Sequence, residues 1–164
     1  MELHGYVDSD WAACPKTHLS LTGGTVQLAG DMVGYKRKLQ PTIAESSTES
    51  EVIMGASDFS KMIMYVRSVM WDLGIRQDAV TILYEKNDAC IVMANAQKPT
   101  PRTHHMNIKY NVLCEWVKRG LVKLEHLNTF LNMADHFAKQ LGQVIFNRHV
   151  DYLLGHAPPI FRRL

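Results

Sequence analysis

A single long amphipathic helix, predicted between Ser46 and Gly74, constrains the fold more than any other stretch of the sequence. Its apolar residues recur at alternating spacings of four and three, as on one face of an α-helix; they are Val52, Ala56, Phe59, Ile63, Val66, Met70 and Leu73. Ser46 with Glu49, and equally Thr48 with Glu51, has the spacing of a capping box, and Gly74 is a typical C-terminal stop. A helix of about six or seven turns with one apolar face must pack on another element, so the flanking segments have to supply a surface for it.

The segments around this helix have the patterns of strands and shorter helices. Three strands come first and form a predicted antiparallel meander, because glycine-containing turns separate them. The elements in order are strands Leu3–Trp11, Thr25–Leu28 and Met32–Leu39, the long helix, strand Val80–Tyr84, helices Ala89–Ala96 and Ile108–Val117, strand Leu121–Leu127 and helix Met133–Leu141. This order predicts an α/β fold in which a mixed five-stranded sheet carries helices on both faces.

Composition indicates one globular domain rather than a fibrous or membrane protein. The chain has 164 residues, of which 46% are hydrophobic and 21% charged, and its net charge of +2 permits nucleic-acid binding without arguing for it. Its three cysteines are far apart and lack metal-site spacing, which predicts reduced thiols in an intracellular protein, cytoplasmic or nuclear. No signal peptide or membrane-spanning run is recognisable. We expect a domain over residues 1–141 and a partly helical tail, 142–164, that packs on it or trails from it.

Acidic residues stand at the ends of four separated elements. Asp8 closes the first strand, Glu51 lies in the first turns of the long helix, residues 85–88 follow the fourth strand, and Asp135 lies near the start of the last strong helix. Segments that each bring one acid to a common point are typical of metal-dependent nucleases, because divalent cations at such points are held by carboxylates.

Five short motifs make this layout specific. They are GYVDSDWA (5–12), QPTIAESSTESE (40–51), YEKNDACI (84–91), RTHHMNIKY (102–110) and NMADHFAK (132–139). In this order they resemble the motifs of the RNase H domain of copia-type LTR retrotransposon polyproteins, within the reverse transcriptase/ribonuclease H family.

The resemblance implies an RNase H-like fold and a nuclease ancestry. Members of that family cleave the RNA strand of RNA–DNA hybrids with two divalent metals, Mg²⁺ or Mn²⁺, held by four acids. Carried over residue by residue, the metal ligands and catalytic residues are Asp8, Glu51, position 86 and Asp135. A reverse transcriptase domain precedes this domain in the family, so a start at Met1, next to the first strand, predicts an excised domain or a truncated gene.

The third ligand position departs from the family, because Lys86 stands where the motif has aspartate. An ammonium cannot ligate a metal, and it adds positive charge where the cation would bind. We therefore expect Mg²⁺ or Mn²⁺ binding to be weak or absent, and hydrolysis to be lost or severely impaired. We also expect the Lys86 ammonium to pair with Asp8 and with Glu51 or Asp135, in place of the metal's charge.

Two alternatives remain open from the sequence. The first is an active ribonuclease H in which Asp88, two residues on, reaches back as a substitute ligand; otherwise Asp88 opens the next helix. Glu85 is a poorer substitute because adjacent strand residues point to opposite faces. The second alternative is a non-catalytic module that binds nucleic acid or a protein partner, with no membrane involved.

Candidate nucleic-acid contacts follow from the basic residues and the fourth motif. The candidates are Lys36, Lys38, Arg102, His104 and His105. The two histidines lack acid or cysteine partners at ligand spacing, so they are expected to contact substrate or solvent rather than zinc. Further departures from the family motifs are Asn107, where the family has aspartate, and Tyr35, where it usually has tryptophan.

Overall fold

The structure, a computed structural model, describes residues 1–96 and 108–156. Its strands are β1 Leu3–Asp10, β2 Leu21–Leu28, β3 Asp31–Leu39, β4 Thr81–Glu85 and β5 Val122–His126. Its α-helices are α1 Ser47–Glu49, α2 Ser57–Asp72, α3 Asp88–Asn95, α4 Ile108–Lys118, α5 Asp135–Ala138 and α6 Gln143–Leu153. The predicted order of elements and the mixed five-stranded sheet are confirmed.

The sheet order is β3-β2-β1-β4-β5. Strands β1, β2 and β3 are antiparallel neighbours, whereas β4 runs parallel to β1 and β5 runs parallel to β4. Tyr6 is paired with Tyr84 in the β1–β4 register. Because the two strands run in the same direction, their C-terminal ends lie side by side. Asp8 and Lys86 therefore lie next to each other at that end of the sheet.

Alternation along the strands divides the core into two layers. The larger layer joins one sheet face to α2, α3 and α4; it contains Leu3, Val7, Val26, Met54, Ala56, Phe59, Ile63, Leu83, Cys90, Ala94, Tyr110, Leu113, Val122 and Leu124. The smaller layer lies on the other face and contains Tyr6, Leu127, Met133, Ala134, Tyr152 and Leu153. Since side chains alternate between faces, Asp8 lies on the face of Tyr6, and helix α6 packs on that face through Tyr152 and Leu153.

The long predicted helix is interrupted near its start. A π-helical segment, Ser50–Ala56, joins α1 to α2 and carries Glu51. Ser46 caps α1 by accepting a hydrogen bond from Glu49 N, as the capping box predicts, and Gly74 ends the helical region with φ +76°. The periodicity therefore predicted the extent of this region but not its local change in helical geometry.

The last predicted helix, Met133–Leu141, is wrong in its bounds, because α5 covers only Asp135–Ala138. Asn132 accepts a hydrogen bond from Ala134 N and donates one from Nδ2 to Val7 O at 2.9 Å. The side chain therefore ties the start of α5 to β1 beside Asp8. Lys139 is already extended, with φ −143° and ψ 167°, so the helix ends there. Among the described residues, no helix has both the length and the apolar character needed to cross a membrane.

Two adjacent glycines let helices approach the sheet closely from both sides. Strand β2 begins at Leu21, earlier than the predicted Thr25, and therefore includes Gly23 and Gly24. A Cβ at Gly23 would lie 2.5 Å from the Phe137 carbonyl carbon on α5, and one at Gly24 would lie 2.6 Å from the Phe59 ring on α2. No side chain larger than hydrogen fits at either position without moving a helix.

Replacing Gly23 with alanine should therefore destabilise the domain. The added methyl meets helix backbone, which cannot turn aside as a flexible side chain can, so we expect a loss of about 1–3 kcal/mol or more in the free energy of unfolding. Urea denaturation measures it. Gly142→Ala is the matched control, because a Cβ there meets nothing within 4 Å and φ is −62°. Equal stability of the two variants would show that α5 does not approach β2 as described.

Candidate functional site

A cluster of buried carboxylates lies where β1, β4, the π-helical segment and α5 meet. Asp8 comes from β1, Glu51 from the π-helical segment and Asp135 from the start of α5. Each is at most 2% exposed. The Lys86 ammonium contacts Asp8 Oδ1 and lies 4.0 Å from Glu51 Oε1. The structure therefore brings these three acids together around Lys86, and the expected pairing of Lys86 with Asp8 is confirmed.

A second ammonium, from Lys139, closes the other side of the cluster. Lys139 Nζ lies 2.8 Å from Asp135 Oδ2 and 3.7 Å from Asp8 Oδ2. Lys139 was not predicted as a site residue, although its spacing of four from Asp135 places both residues on one side of a helical turn. Both oxygens of the Asp8 carboxylate consequently face a lysine.

Packing of the surrounding chain holds the acids in place independently of a bound cation. The hydrogen bond from Asn132 to Val7 O holds the segment before Asp135 against β1. Gly55 lets the π-helical segment lie close to β1, because a Cβ there would lie 3.0 Å from Ser9 Oγ and 3.2 Å from Val7 Cγ2. The cluster is thus built by the packing of the π-helical segment and α5 on β1.

Glu85 is a fourth buried acid that the sequence analysis set aside. It is 0% exposed and lies on the Leu83 face of β4, opposite Lys86, as alternation predicts. Its Oε1 accepts hydrogen bonds from Lys86 N at 2.8 Å and Asn87 N at 3.0 Å. Glu51 approaches β4 from this same face of the sheet, which the alternation along one strand does not show. Glu85 therefore lies close enough to Glu51 to belong to the cluster.

Burial and mutual repulsion keep part of this cluster uncharged. Burial, the charge of Glu85 and the charge of Asp8 raise the pKa of Glu51 well above its ordinary value. Burial also raises the pKa of Glu85 to about 8, although the two backbone hydrogen bonds oppose it. The nearest lysine to Glu51 is Lys86, 4.0 Å from its Oε1, and no ion pair to Glu85 is seen among the described residues. These two acids are therefore the part of the cluster that the lysines compensate least.

The remaining charges compensate one another as ion pairs. Burial and the charge of Asp8 raise the pKa of Asp135 to about 6, against the opposing effect of Lys139. Burial alone would lower the pKa of Lys86, but the charges of Asp8, Glu51 and Asp135 outweigh it and raise that pKa above its usual value. Lys86 is therefore held in its charged form by the carboxylates it contacts.

The alternative ligand Asp88 is not placed at the cluster. Helix α3 begins at Asp88, because the Asn87 side chain caps it by accepting from Cys90 N. The Asp88 side chain is 80% exposed, and its Oδ1 lies 2.8 Å from His126 Nδ1. The strand does not continue far enough for Asp88 to reach back, so the substitution hypothesis is corrected: Asp88 lies outside the acidic cluster.

Two of the five predicted nucleic-acid contacts, Lys36 and Lys38, lie in the described part of the chain. Lys36 is paired with Asp58 at 2.7 Å on the α2 side of the sheet, so its charge is already compensated. Lys38 is exposed on the neighbouring stretch of β3. Arg102, His104 and His105 lie outside the described residues. Only Lys38 of this set is therefore seen as an exposed cation without an ion pair in the described part of the chain.

The donor set does not fit the two divalent metals that the family resemblance implies. Within residues 1–96 and 108–156, no three His, Cys, Asp or Glu side chains have an arrangement suited to a metal ion. Both oxygens of the Asp8 carboxylate are opposed by ammonium groups, so this acid is not open to a cation. A cation would have to displace Lys86 before Asp8 could ligate it.

Glu85→Gln should change how the stability of the fold depends on pH. The pKa of Glu85 is raised from 4.5 to about 8 in the folded protein, so its contribution to stability is fully present below about pH 4.5 and is lost as the pH rises through about 8. The amide keeps the oxygen that accepts the two backbone hydrogen bonds and has no charge to bury. We expect the variant to gain stability over the wild type between pH 5 and pH 8, by up to a few kcal/mol.

Chemical denaturation at a series of pH values measures this difference. Glu125→Gln on β5 is the matched control, since Glu125 is half-exposed and pairs with Lys123. A stability difference between Glu85→Gln and wild type that does not change with pH would show that Glu85 is not a buried, neutral acid.

Comparison with known proteins supports the motif analysis. The chain is 28% identical over 160 residues, 97% of its length, to the retrovirus-related Pol polyprotein from transposon RE1 of Arabidopsis thaliana, of which it covers 11%. It is 28% identical over 137 residues, 84% of its length, to the corresponding polyprotein from transposon TNT 1-94 of Nicotiana tabacum, of which it covers 10%. The chain therefore spans about a tenth of the length of these relatives. No protein-family model matches it.

Solved structures show the same fold at low sequence identity. LC11-RNase H1, isolated from compost, matches with a TM-score of 0.58 at 10% identity, over 91% of this chain and 98% of that one. A structure of LC11-RNase H1 in complex with an RNA/DNA hybrid matches with a TM-score of 0.56 at 9% identity, over 83% and 93% of the two chains. The chain therefore has the fold of these ribonuclease H structures, and along most of its length its sequence is similar to part of the retrovirus-related Pol polyproteins of plant transposons.

Proposed function

We propose that this chain is an RNase H-like domain of copia-type origin in which hydrolysis of RNA–DNA hybrids is absent or severely reduced. The observation that carries the proposal is the contact between the Lys86 ammonium and Asp8 Oδ1. Lys86 stands at the position where the family motif has the third acidic ligand. Its positive charge takes the place of a cation among the carboxylates.

Charge and ligand count both argue against tight metal binding. At the four ligand positions of the family, three acids and one lysine carry a formal charge of −2, against −4 for four acids, and a site with fewer and less negative ligands binds a divalent cation more weakly. Binding would also require separating Lys86 from Asp8 inside a largely buried cluster, which leaves an uncompensated charge. The expected Mg²⁺ affinity is therefore millimolar or weaker.

RNA–DNA hybrid is the substrate class against which this proposal is tested. LC11-RNase H1, which shares the fold, is described in complex with such a hybrid. An active enzyme that relies on Asp88 receives no support, because Asp88 is exposed and faces His126. The remaining carboxylates, Asp8, Glu51 and Asp135, are the residues that would have to regain the catalytic role if position 86 became acidic.

Restoring the acid at position 86 should restore part of the activity. We expect wild-type protein to leave a labelled RNA–DNA hybrid uncut in Mg²⁺ and in Mn²⁺, and Lys86→Asp to cleave its RNA strand measurably above background. The change removes the ammonium and supplies the missing ligand in one step. Cleavage is followed by gel electrophoresis of the labelled RNA strand.

Lys123→Asp is the matched control for this assay. It makes the same change of charge on the neighbouring strand β5, where Lys123 pairs with Glu125 at 2.8 Å outside the acidic cluster. Wild-type cleavage that depends on Asp8 and proceeds at the rate of an ordinary ribonuclease H would refute the proposal.

The same substitution should make the fold depend on magnesium. Without Lys86 the carboxylates repel one another, and loss of a buried ion-pair partner costs about 3–5 kcal/mol, or roughly 10 °C in melting temperature for a domain of this size. Lys86→Asp should therefore melt well below wild type in chelator and recover when Mg²⁺ is added. Differential scanning calorimetry in EDTA and in Mg²⁺ measures both effects.

Lys86→Met separates the two causes, because it removes the ammonium without adding a ligand. It should lose stability in chelator and recover less with Mg²⁺ than Lys86→Asp does. Two Mg²⁺ ions bound to wild type at micromolar concentration, measured by titration calorimetry, would contradict the lysine-closed site. So would a Lys86→Asp variant whose melting temperature and magnesium response equal those of wild type.

A further inference from the structure

A row of four aromatic rings crosses the sheet face that carries Asp8. Tyr35 on β3 stacks on Phe137 of α5, with ring centroids 5.8 Å apart and planes at 19°. The row continues through His136, 5.2 Å from Phe137, to Phe146 of α6, 4.4 Å from His136. These four residues, here called the aromatic row, link the edge strand, α5 and α6.

The two ends of the row are open to solvent. Tyr35 is 64% exposed and Phe146 is 43% exposed, whereas Phe137 is partly buried against the smaller core layer. Burial lowers the pKa of His136, which keeps its ring neutral at neutral pH. Phe137 and His136, whose rings meet edge to face, connect these two exposed residues. The smaller core layer packs around Tyr6, Met133 and Tyr152 and includes neither Tyr35 nor Phe146.

Positive charge lies beside the row on the same face. Asp8, Gly23 and Arg37 are cross-strand partners in one line across β1, β2 and β3, so the Arg37 side chain shares the face of Asp8 and Tyr35. Arg37 is exposed and has no ion-pair partner among the described residues. Its guanidinium is therefore free to meet an anion next to Tyr35.

The lysines at the cluster remove the charge that would otherwise repel such an anion. Lys86 contacts Asp8, and Lys139 lies 2.8 Å from Asp135. In an acidic site without cations, phosphates would meet unpaired carboxylates at this face. Arg37 and the ammonium groups of two partly exposed lysines supply positive charge on this face, which also carries Asp10 at the end of β1.

We propose that the aromatic row and Arg37 bind single-stranded nucleic acid by base stacking and phosphate contact, without a divalent cation. Exposed aromatic faces stack on unpaired bases, and a neighbouring cation tracks the backbone. Bases within a duplex already have both faces covered by their neighbours, so the row selects single strands. RNA and DNA share the base faces that it contacts, and both are expected to bind.

This inference does not depend on the proposed loss of hydrolysis. Stacking at Tyr35 and Phe146 requires no contact with Lys86 or with a metal, and a metal bound to the carboxylates would offset their charge as the lysines do, so a chain that cleaved hybrids could still bind single strands here. The experiment therefore measures binding in EDTA, where no metal-dependent cleavage occurs. Its failure would leave the assignment of Lys86 untouched.

Fluorescence anisotropy of the full chain with labelled 20-nucleotide oligo-dT and oligo-rU tests the proposal. We expect both strands to bind in EDTA, and Tyr35→Ala or Phe146→Ala to weaken binding about tenfold each. Tyr35→Phe should retain the wild-type affinity, because it keeps the ring. Arg37→Ala should reduce the affinity and lower the salt dependence by about 0.7 in the slope of log K against log salt, as loss of one phosphate contact predicts.

Tyr65→Ala is the matched control. Tyr65 is a 70% exposed tyrosine on α2, which packs on the opposite face of the sheet, and its truncation should leave binding unchanged. Melting temperatures of all variants establish that they are folded. No binding of either single strand, tighter binding of a duplex than of its single strands, or equal losses at Tyr35 and Tyr65 would overturn the proposal. Absence of binding to either single strand would fit a row that contacts protein instead.

Discussion

The ion pair between Lys86 and Asp8 is the interaction on which the rest of the site depends. Carboxylates that are removed from water and placed side by side are stable only when a cation, a proton or a hydrogen bond compensates each of them. Here lysines compensate Asp8 and Asp135, while burial keeps Glu51 and Glu85 partly protonated. The cluster is therefore internally neutralised, and a divalent metal would have to compete with groups that are covalently part of the chain.

Backbone geometry, rather than the charges themselves, brings these groups together. The parallel pairing of β1 with β4 sets Asp8 and Lys86 at one edge of the sheet. Gly23 lets α5 lie against β2, and Asn132 anchors the segment before Asp135 to β1. These devices position four acids at one point whether or not position 86 is acidic. A change at one residue can therefore alter the chemistry of the site while the fold persists.

The sequence predicted the fold and the convergence of three acids because both rest on local or repeated patterns. Apolar periodicity gave the long helix, alternation gave the strands, and motif order gave the convergence of Asp8, Glu51 and Asp135. Glu85 was judged a poor ligand because its side chain points to the face of β4 opposite Lys86. The alternation of side chains along one strand does not show which helical segment packs on each face. The bounds of α5 were wrong at both ends, because Asn132 bonds to Val7, which is distant in sequence, and because the chain is already extended at Lys139. Whether Asp88 could reach the cluster depended on whether β4 continues past Glu85. It does not continue, because Asn87 caps helix α3 directly after the strand.

A high-resolution crystal structure of the wild-type chain grown in Mn²⁺, with an anomalous difference map, tests the central claim most directly. The account predicts no manganese peak between Asp8, Glu51 and Asp135, and a Lys86 ammonium at about 2.7–2.9 Å from an oxygen of Asp8, the length of a charge-assisted hydrogen bond. A manganese peak bound to these carboxylates, with Lys86 turned out to solvent, would contradict it.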